Sequence, residues 1–575
     1  MLAKLVSIIL SFIMSVTGFF STAVSDVIDS VSELLFGVPY TVEAVKYDFF
    51  NEIDDSDVVE LDDDSGFIND KIAVFVDSDM SFSQKLDFFA GCGGVLAGWC
   101  APADLYVISY PGMTYEQVMK KCDELDMKDG VELSVPVMAY KTEKNITPAD
   151  PFDSTADEPV VWDETVPGGT NWWLEAIDAR QAWDYSDNFS KINIGVLDAG
   201  YETDHPELTG KITFPDSKQA RRNIPDSHGT HVAGIIAANH NDVGIAGVCD
   251  NSNLICIDWM PDLLQFWSTD ISIFFGVSTL VKAGAKVINM SLGTSGSKTS
   301  NSTGFIERVI GTAATSYMMA SLLSKGYDFV VVQSAGNGDI FGDPVDARHN
   351  GHFCSLTESN IFTGSKNVSR QDILNRIIVV ASASHNGDGT YTQSEFTNVG
   401  SAVTIAAPGE DIYSSSLNGG YEVFSGTSMS APIVTGVASL VWSVNPSFTG
   451  AQVKDIVCTS TDSVAKIYTE SEYYYDVELM EYPMVNAKLA VEEAIRRSDA
   501  SCGTVSGRII GSADRIVYAG KSHTVYSDGT YSFVTTEGSG TAELFDRYGN
   551  SVGSFDLTVM AGQTTVAEDY NITSY

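Results

Sequence analysis

A chain of 575 residues with 44% hydrophobic content is too long for a single core and too apolar to be disordered, so two or three packed domains are expected. Its 33 Lys and Arg against 76 Asp and Glu give a net charge of −43, which disfavours nucleic acid and anionic membranes as partners and favours solubility. The 8 Cys do not follow zinc-site spacing and no His-Glu-x-x-His occurs, so a zinc hydrolase lacks its signature.

The N-terminus reads Met1-Leu-Ala-Lys4, then an apolar run over 5–20, then Ala23-Val-Ser25. This order predicts a secretory signal over residues 1–25 and an extracellular protein. The alternative is an uncleaved segment that anchors the chain in a membrane. Residues 26–150 form the first block. An acidic run at 54–64 reads as a solvated loop, 72–76 and 104–110 as strands, 115–125 as a helix, and 131–139 as extended chain. The alternation predicts a small α+β domain. Residues 141–163, rich in Thr, Pro and Asp, read as a linker.

Residues 160–498 form the second block. Short apolar runs at 192–197, 254–257, 287–290, 329–332, 377–381 and 403–406 alternate with helical stretches. Nearly continuous β-branched runs predict strands buried on both faces, hence an α/β domain with a parallel sheet. Gly284 should stop one helix before its strand. Residues 503–575 are rich in Gly, Ser and Thr, with turn signals at Asp528-Gly529 and Asn550-Ser551, and predict a small β-sandwich. A stabilising or spacer role and a ligand-binding role both fit it.

Four motifs carry chemistry. Ile194-Gly-Val-Leu-Asp-Ala-Gly200 ends a buried strand on Asp198, whose carboxylate can emerge at the sheet's edge. His228-Gly-Thr-His-Val-Ala-Gly234 opens a helical segment of small and apolar residues, with His228 as a candidate base. Gly426-Thr-Ser-Met-Ser-Ala-Pro432 puts Ser428 at a helix N-terminus, where the dipole favours developing negative charge, with Pro432 expected in the first turn. A serine needs such a base to become a nucleophile. Ser334-Ala-Gly-Asn-Gly338 presents Asn337 after a strand as a candidate oxyanion donor. Singly, each has a plain structural reading: a strand-end Asp, an N-cap Ser, a core His, a turn Asn.

Together, in the order Asp, His, Ser, they resemble the subtilisin-like (subtilase) serine endopeptidases. The resemblance implies a parallel-sheet subtilisin-like catalytic domain over 160–498 and a triad of Asp198, His228 and Ser428 with Asn337 at the oxyanion. It assigns catalysis to His228 and not to its neighbour His231. Ser291, Leu292 and Gly293 would line one wall of the specificity cleft and pair with extended peptide substrates. The stretches from Gly293 to Asn337 and from Gly338 to Ser428 are longer than in minimal family members, and the sequence gives no rule for a basic, acidic or aromatic primary side chain. Glu207, after His205-Pro206, and Asn241, within 239–245, match places where the family holds structural calcium; none is required for the chemistry. Residues 26–150 resemble, in topology, a prosegment that assists folding and then blocks the cleft as an intramolecular inhibitor. The expected protein is a secreted, self-processed, monomeric endopeptidase. A protease maturing one precursor is the rival within the class, and a non-catalytic binder acting through its β-domain the rival outside it.

Overall fold

The computed structural model describes residues 57–61, 65–141, 171–241, 244–259, 267–293, 302–338, 342–468 and 479–572. The expected signal at 1–25, the start of the first block and the linker beyond Lys141 lie outside these residues.

The first described unit is an antiparallel sheet whose strands run in the order Val95–Cys100, Leu105–Ser109, Ser65–Val76, Val131–Lys141. Side chains alternate across it, as strand geometry requires. Ile72, Val74 and Val76 pack on the helices Phe82–Cys92 and Tyr115–Asp126. Ala73 and Phe75 face the other way, onto the helices Asp270–Lys282 and Ser302–Ser324 of the next unit. Phe75 lies 6.1 Å from Phe274 and 5.2 Å from Tyr317 between ring centroids. Within the acidic run expected as a loop, Val58–Glu60 instead forms a short strand, antiparallel to Ser65–Val76. Two consecutive valines prefer extended chain, and Val58 gains a place against the core.

The central unit is the α/β layer expected. Ile192–Asp198 pairs in parallel with Ser252–Asp258 on one side and Val287–Met290 on the other. Val330–Ser334, Ile377–His385 and Ile405–Pro408 continue the parallel sheet. The chain leaves Ile192–Asp198 in one direction and returns on its other flank, so the strand order reverses there. In open α/β sheets the crevice outside the carboxyl ends of the strands at such a reversal is where ligands bind. Asp198 closes one of those strands and Ser291 follows the other.

The helix Thr427–Val444 runs through the core, apolar on nearly every face and buried at 16 of its positions. Pro432, expected in the first turn, is its sixth residue, because the helix begins at Thr427 rather than after Ser428.

The C-terminal residues form two four-stranded sheets, one around Cys502–Ile510 and the other around Gly538–Phe545. Val505 and Phe533 of one share a buried cluster with Ile516, Leu544 and Leu557 of the other, and the cluster runs on into the helix Ala487–Ser498. Tyr185 ties the units together: its hydroxyl donates to Glu492 at 2.8 Å and accepts from the Val534 N–H at 2.8 Å. All 8 cysteines are unpaired thiols.

Candidate active site

Asp198 and His228 meet at the reversal point. The Asp198 carboxylate, 1% exposed, lies with Oδ1 2.5 Å from His228 Nδ1 and also accepts the Ala199 N–H at 2.8 Å. The helix Ser227–Ala237 holds the ring in place, and Asp226 caps it by accepting the His228 N–H at 2.8 Å. Gly229 is required by this approach: a Cβ there would stand 2.0 Å from the Ala199 carbonyl oxygen. Burial works against a charged His228, but the Asp198 carboxylate beside it prevails and raises its pKa above the ordinary histidine value. The ring is therefore set to take up a proton on Nε2 while Nδ1 stays fixed on Asp198.

His231, three residues on, has no such partner. It donates from Nε2 to the Glu422 carbonyl at 3.1 Å, stacks on Phe424, and burial pushes its pKa down to about 3.

Ser428 is half-buried in the first turn of the Thr427–Val444 helix. Its hydroxyl donates to the Ser291 carbonyl at 3.4 Å, and the Ser291 hydroxyl donates to the Ser428 carbonyl at 2.7 Å. Asn289 donates to Ser291 Oγ at 3.0 Å and so completes a chain from the sheet to the serine turn. Leu292 is buried and Gly293 half-buried beside it.

Asn337 follows the adjacent strand. Its Oδ1 accepts from both the main-chain N–H and the hydroxyl of Thr427, each at 2.8 Å. With the carbonyl oxygen engaged, the amide Nδ2 is left on the other edge as the donor. Thr427 Oγ1 also accepts from the Gly336 N–H at 3.1 Å, so one residue next to Ser428 orients the Asn337 loop. The sequence reading missed Thr427, although its place in Gly-Thr-Ser was the available signal.

A second missed feature is the short strand Trp267–Thr269, on which the sheet-forming end of Val131–Lys141 lies antiparallel, with Ala139 opposite Thr269 and Lys141 opposite Trp267. Three residues carry no periodicity to read. An edge strand taken up by a segment of the same chain is also an edge that an extended peptide could take up.

Glu207 is fully buried, and its Oε1 accepts from the Tyr421 hydroxyl at 2.6 Å and the Ile245 N–H at 3.4 Å. Its Oε2 is buried without a partner, and burial raises the pKa of the carboxyl. Asn241 is exposed on the loop that follows, whose residues 242–243 are outside the described set. No group of 3 or more His, Cys, Asp or Glu suited to a metal occurs among the described residues. The available donors are thus a single orphaned carboxylate oxygen with amide and main-chain oxygens, a set that fits a hard cation and no transition metal.

Comparison with known proteins agrees with this geometry. Residues 190–485 match the model described as the Subtilase family. The chain is 30% identical over 292 residues to the subtilisin of Bacillus pumilus, covering 50% of this chain and 87% of that one. It is equally 30% identical to subtilisin NAT of Bacillus subtilis subsp. natto, but there the match spans 63% of the relative's length. Thermitase of Thermoactinomyces vulgaris is 30% identical over 272 residues, 46% of this chain and 80% of that one. Among solved structures, fervidolysin from Fervidobacterium pennivorans, described as a keratinolytic enzyme related to subtilisin, matches in fold with a TM-score of 0.53 at 20% identity, over 89% of this chain and 79% of that one.

Proposed function

Because the chain belongs to the subtilase family, we propose that it is a secreted serine endopeptidase, made as a precursor that processes itself. The observation that carries this reading is the 2.5 Å contact of Asp198 with His228 at the sheet's reversal point, on a helix whose Val232, Ala233 and Ile236 share a buried cluster with Met429 and Ile433 of the helix that carries Ser428. For catalysis the Ser428 hydroxyl turns from the Ser291 carbonyl and gives its proton to His228 Nε2 as Oγ bonds to the scissile carbonyl carbon. Asp198 keeps Nδ1 protonated and balances the charged ring. Asn337 Nδ2 and the Ser428 N–H donate to the oxyanion. His228 then protonates the leaving amine, and an acyl-enzyme remains until water repeats the sequence in reverse.

Residues 26–150 act in this reading as the prosegment. The pairing of Ala139–Lys141 with the Trp267–Thr269 edge supports it, since it seats this unit in the manner of a bound peptide. Ser291, Leu292 and Gly293 form the opposite wall for the substrate's main chain. Glu207 and Asn241 would hold a calcium ion that ties the 239–245 loop to the catalytic unit and takes no part in the chemistry. The C-terminal sheets stabilise the catalytic unit, in keeping with the continuous core they share with its last helix.

The test is the intact mass of purified wild type beside Ser428→Ala. Wild type trimmed within 141–163 and an untrimmed variant are expected. A variant trimmed as completely as wild type would remove self-processing from the proposal.

A further inference from the structure

The strands Val287–Met290 and Val330–Ser334 are parallel neighbours whose chains separate at their carboxyl ends, one into Ser291–Gly293 and the other into Ala335–Asn337. Gly293, Asn337 and Ser428 are each part-exposed there, so this crevice opens beside the serine. Beneath it Gln333 Nε2 and Ser334 Oγ donate to the Leu292 carbonyl at 3.3 and 3.4 Å, and the Asn350 side chain lies closest to Gly293. Asn350 is 0% exposed and sits between the two diverging segments. A Cβ built on Gly293 would lie 1.8 Å from Asn350 Oδ1, and one built on Gly336 would lie 2.9 Å from the same atom. The carboxamide thus presses on Gly293, where only glycine leaves room for it, and also lies against Gly336, which Asn398 Nδ2 approaches more closely still, at 2.4 Å from such a Cβ.

Its two ends differ. Asn350 Nδ2 donates to the Ser334 carbonyl at 2.8 Å, which fixes the orientation of the amide. Oδ1 is buried without a hydrogen-bond partner. Buried acceptors are nearly always paired. This one is left unpaired at the floor of a crevice that, under the proposed function, receives the substrate side chain preceding the scissile bond.

We propose that Asn350 is a specificity-determining residue: its carboxamide closes the bottom of the primary side-chain pocket, so that the enzyme accepts short residues such as alanine and serine before the scissile bond and rejects leucine and phenylalanine. This rests on the peptidase reading above. A long side chain would have to displace a group that is anchored to Ser334 and backed by Cys354, whose thiol also donates to the Ser334 carbonyl at 3.4 Å. A short one needs no displacement, and a serine hydroxyl brings a donor toward the unpaired oxygen.

The experiment compares kcat/KM on tetrapeptide p-nitroanilides that differ only in the last residue (alanine, serine, leucine, phenylalanine). Wild type, Asn350→Ser and Asn350→Ala are each first titrated with a fluorophosphonate that labels an activated serine. Wild type should favour alanine and serine over phenylalanine by at least about 10-fold, the scale of a misfit in a rigid pocket. In Asn350→Ala the phenylalanine-to-alanine ratio should rise at least about 10-fold, and in Asn350→Ser by less. A wild type that prefers phenylalanine, or a labelled variant with an unchanged ratio, would overturn the proposal. If Asn350→Ala fails to label, the wild-type profile and the Asn350→Ser ratio decide. A wild type that neither labels nor cleaves any of the four would instead overturn the peptidase reading beneath it.

Discussion

The Ser291 hydroxyl replaces a hydrogen bond that Pro432 cannot make. In a regular helix the N–H of residue 432 would donate to the carbonyl of Ser428, and proline has no N–H. Ser291 Oγ donates to that carbonyl instead, at 2.7 Å, and the first turn of the helix is thereby fastened to the neighbouring sheet strand. At that one carbonyl the serine turn is held by a side chain in place of a helical N–H.

Ser291 is therefore a positioning residue for Ser428. Ser291→Ala should lower kcat about 5- to 10-fold, the worth of one hydrogen bond of about 1 kcal/mol. In a Pro432→Ala background the restored N–H can serve the same carbonyl, and Ser291→Ala should then cost about 2-fold or less. An equal loss in both backgrounds would show that Ser291 acts by another route.

Under the proposed function, the Asp198–His228 pair should fix the acid limb of activity. His228 must be neutral to accept the Ser428 proton, and its raised pKa means that activity is lost as pH falls through a value above the ordinary 6.5. Asp198→Asn removes the charge that raises it while burial remains. The midpoint of kcat/KM against pH should move downward, and kcat should drop on the order of 10⁴-fold, the size known when this carboxylate is neutralised in serine proteases. A profile that keeps its acid midpoint would show that another group sets it.

Much of this was legible because the chemistry sits in contiguous segments. Asp198, His228, Ser428 and Asn337 each lie at the end of a strand or start of a helix, where a short motif both forms the turn and presents the side chain. The parallel strands were legible because both faces are buried, which demands unbroken runs such as Val-Ile-Asn-Met at 287–290. The helix Phe82–Cys92 was overlooked although Ser81 and Gln84 form a capping box ahead of it, with Gly93 in the left-handed region at its end. What could not be read is non-local. Asn350 matters only because two strand ends separate around it. Trp267–Thr269 becomes a strand only because Ala139–Lys141 pairs with it. The Ser291–Ser428 bond spans 137 residues.

The first unit is fastened to the catalytic one by a buried charge cluster. Asp104 accepts from Lys325 at 2.7 Å and Lys366 at 3.3 Å, and the side chains of Asp104 and Lys366 are 5% and 3% exposed. Lys366 also donates to Ser78 at 2.9 Å. Asp104→Asn would leave two ammonium groups at this contact without their counter-charge, costing about 3 kcal/mol of docking. In the full chain carrying Ser428→Ala, amide exchange along the Ala139–Thr269 ladder should therefore quicken about 10²-fold. Unchanged exchange would mean that the apolar contacts of Phe75 hold the unit alone.

Acid should loosen the C-terminal sheets through His523. The ring is 2% exposed, stacks on Phe533 with centroids 4.3 Å apart, and has its Nε2 buried without a partner. Burial, with Lys521, Lys488 and Arg515 adding to it, pushes its pKa down to about 3 from 6.5. Between those values the unfolded chain binds a proton that the folded one excludes, so stability falls as pH falls. The loss approaches about 1.4 kcal/mol per pH unit once pH is well below 6.5. His231 and His352, lowered to about 3 and about 4, act in the same sense. His523→Phe keeps the stacked ring and cannot take a proton. Urea unfolding of the Ser428→Ala protein, followed from pH 7 to pH 4.5, should show the unfolding midpoint falling less steeply when His523→Phe is added. Parallel curves would mean that the ring gains a proton without leaving its place, so that its burial is not what limits the acid side of stability.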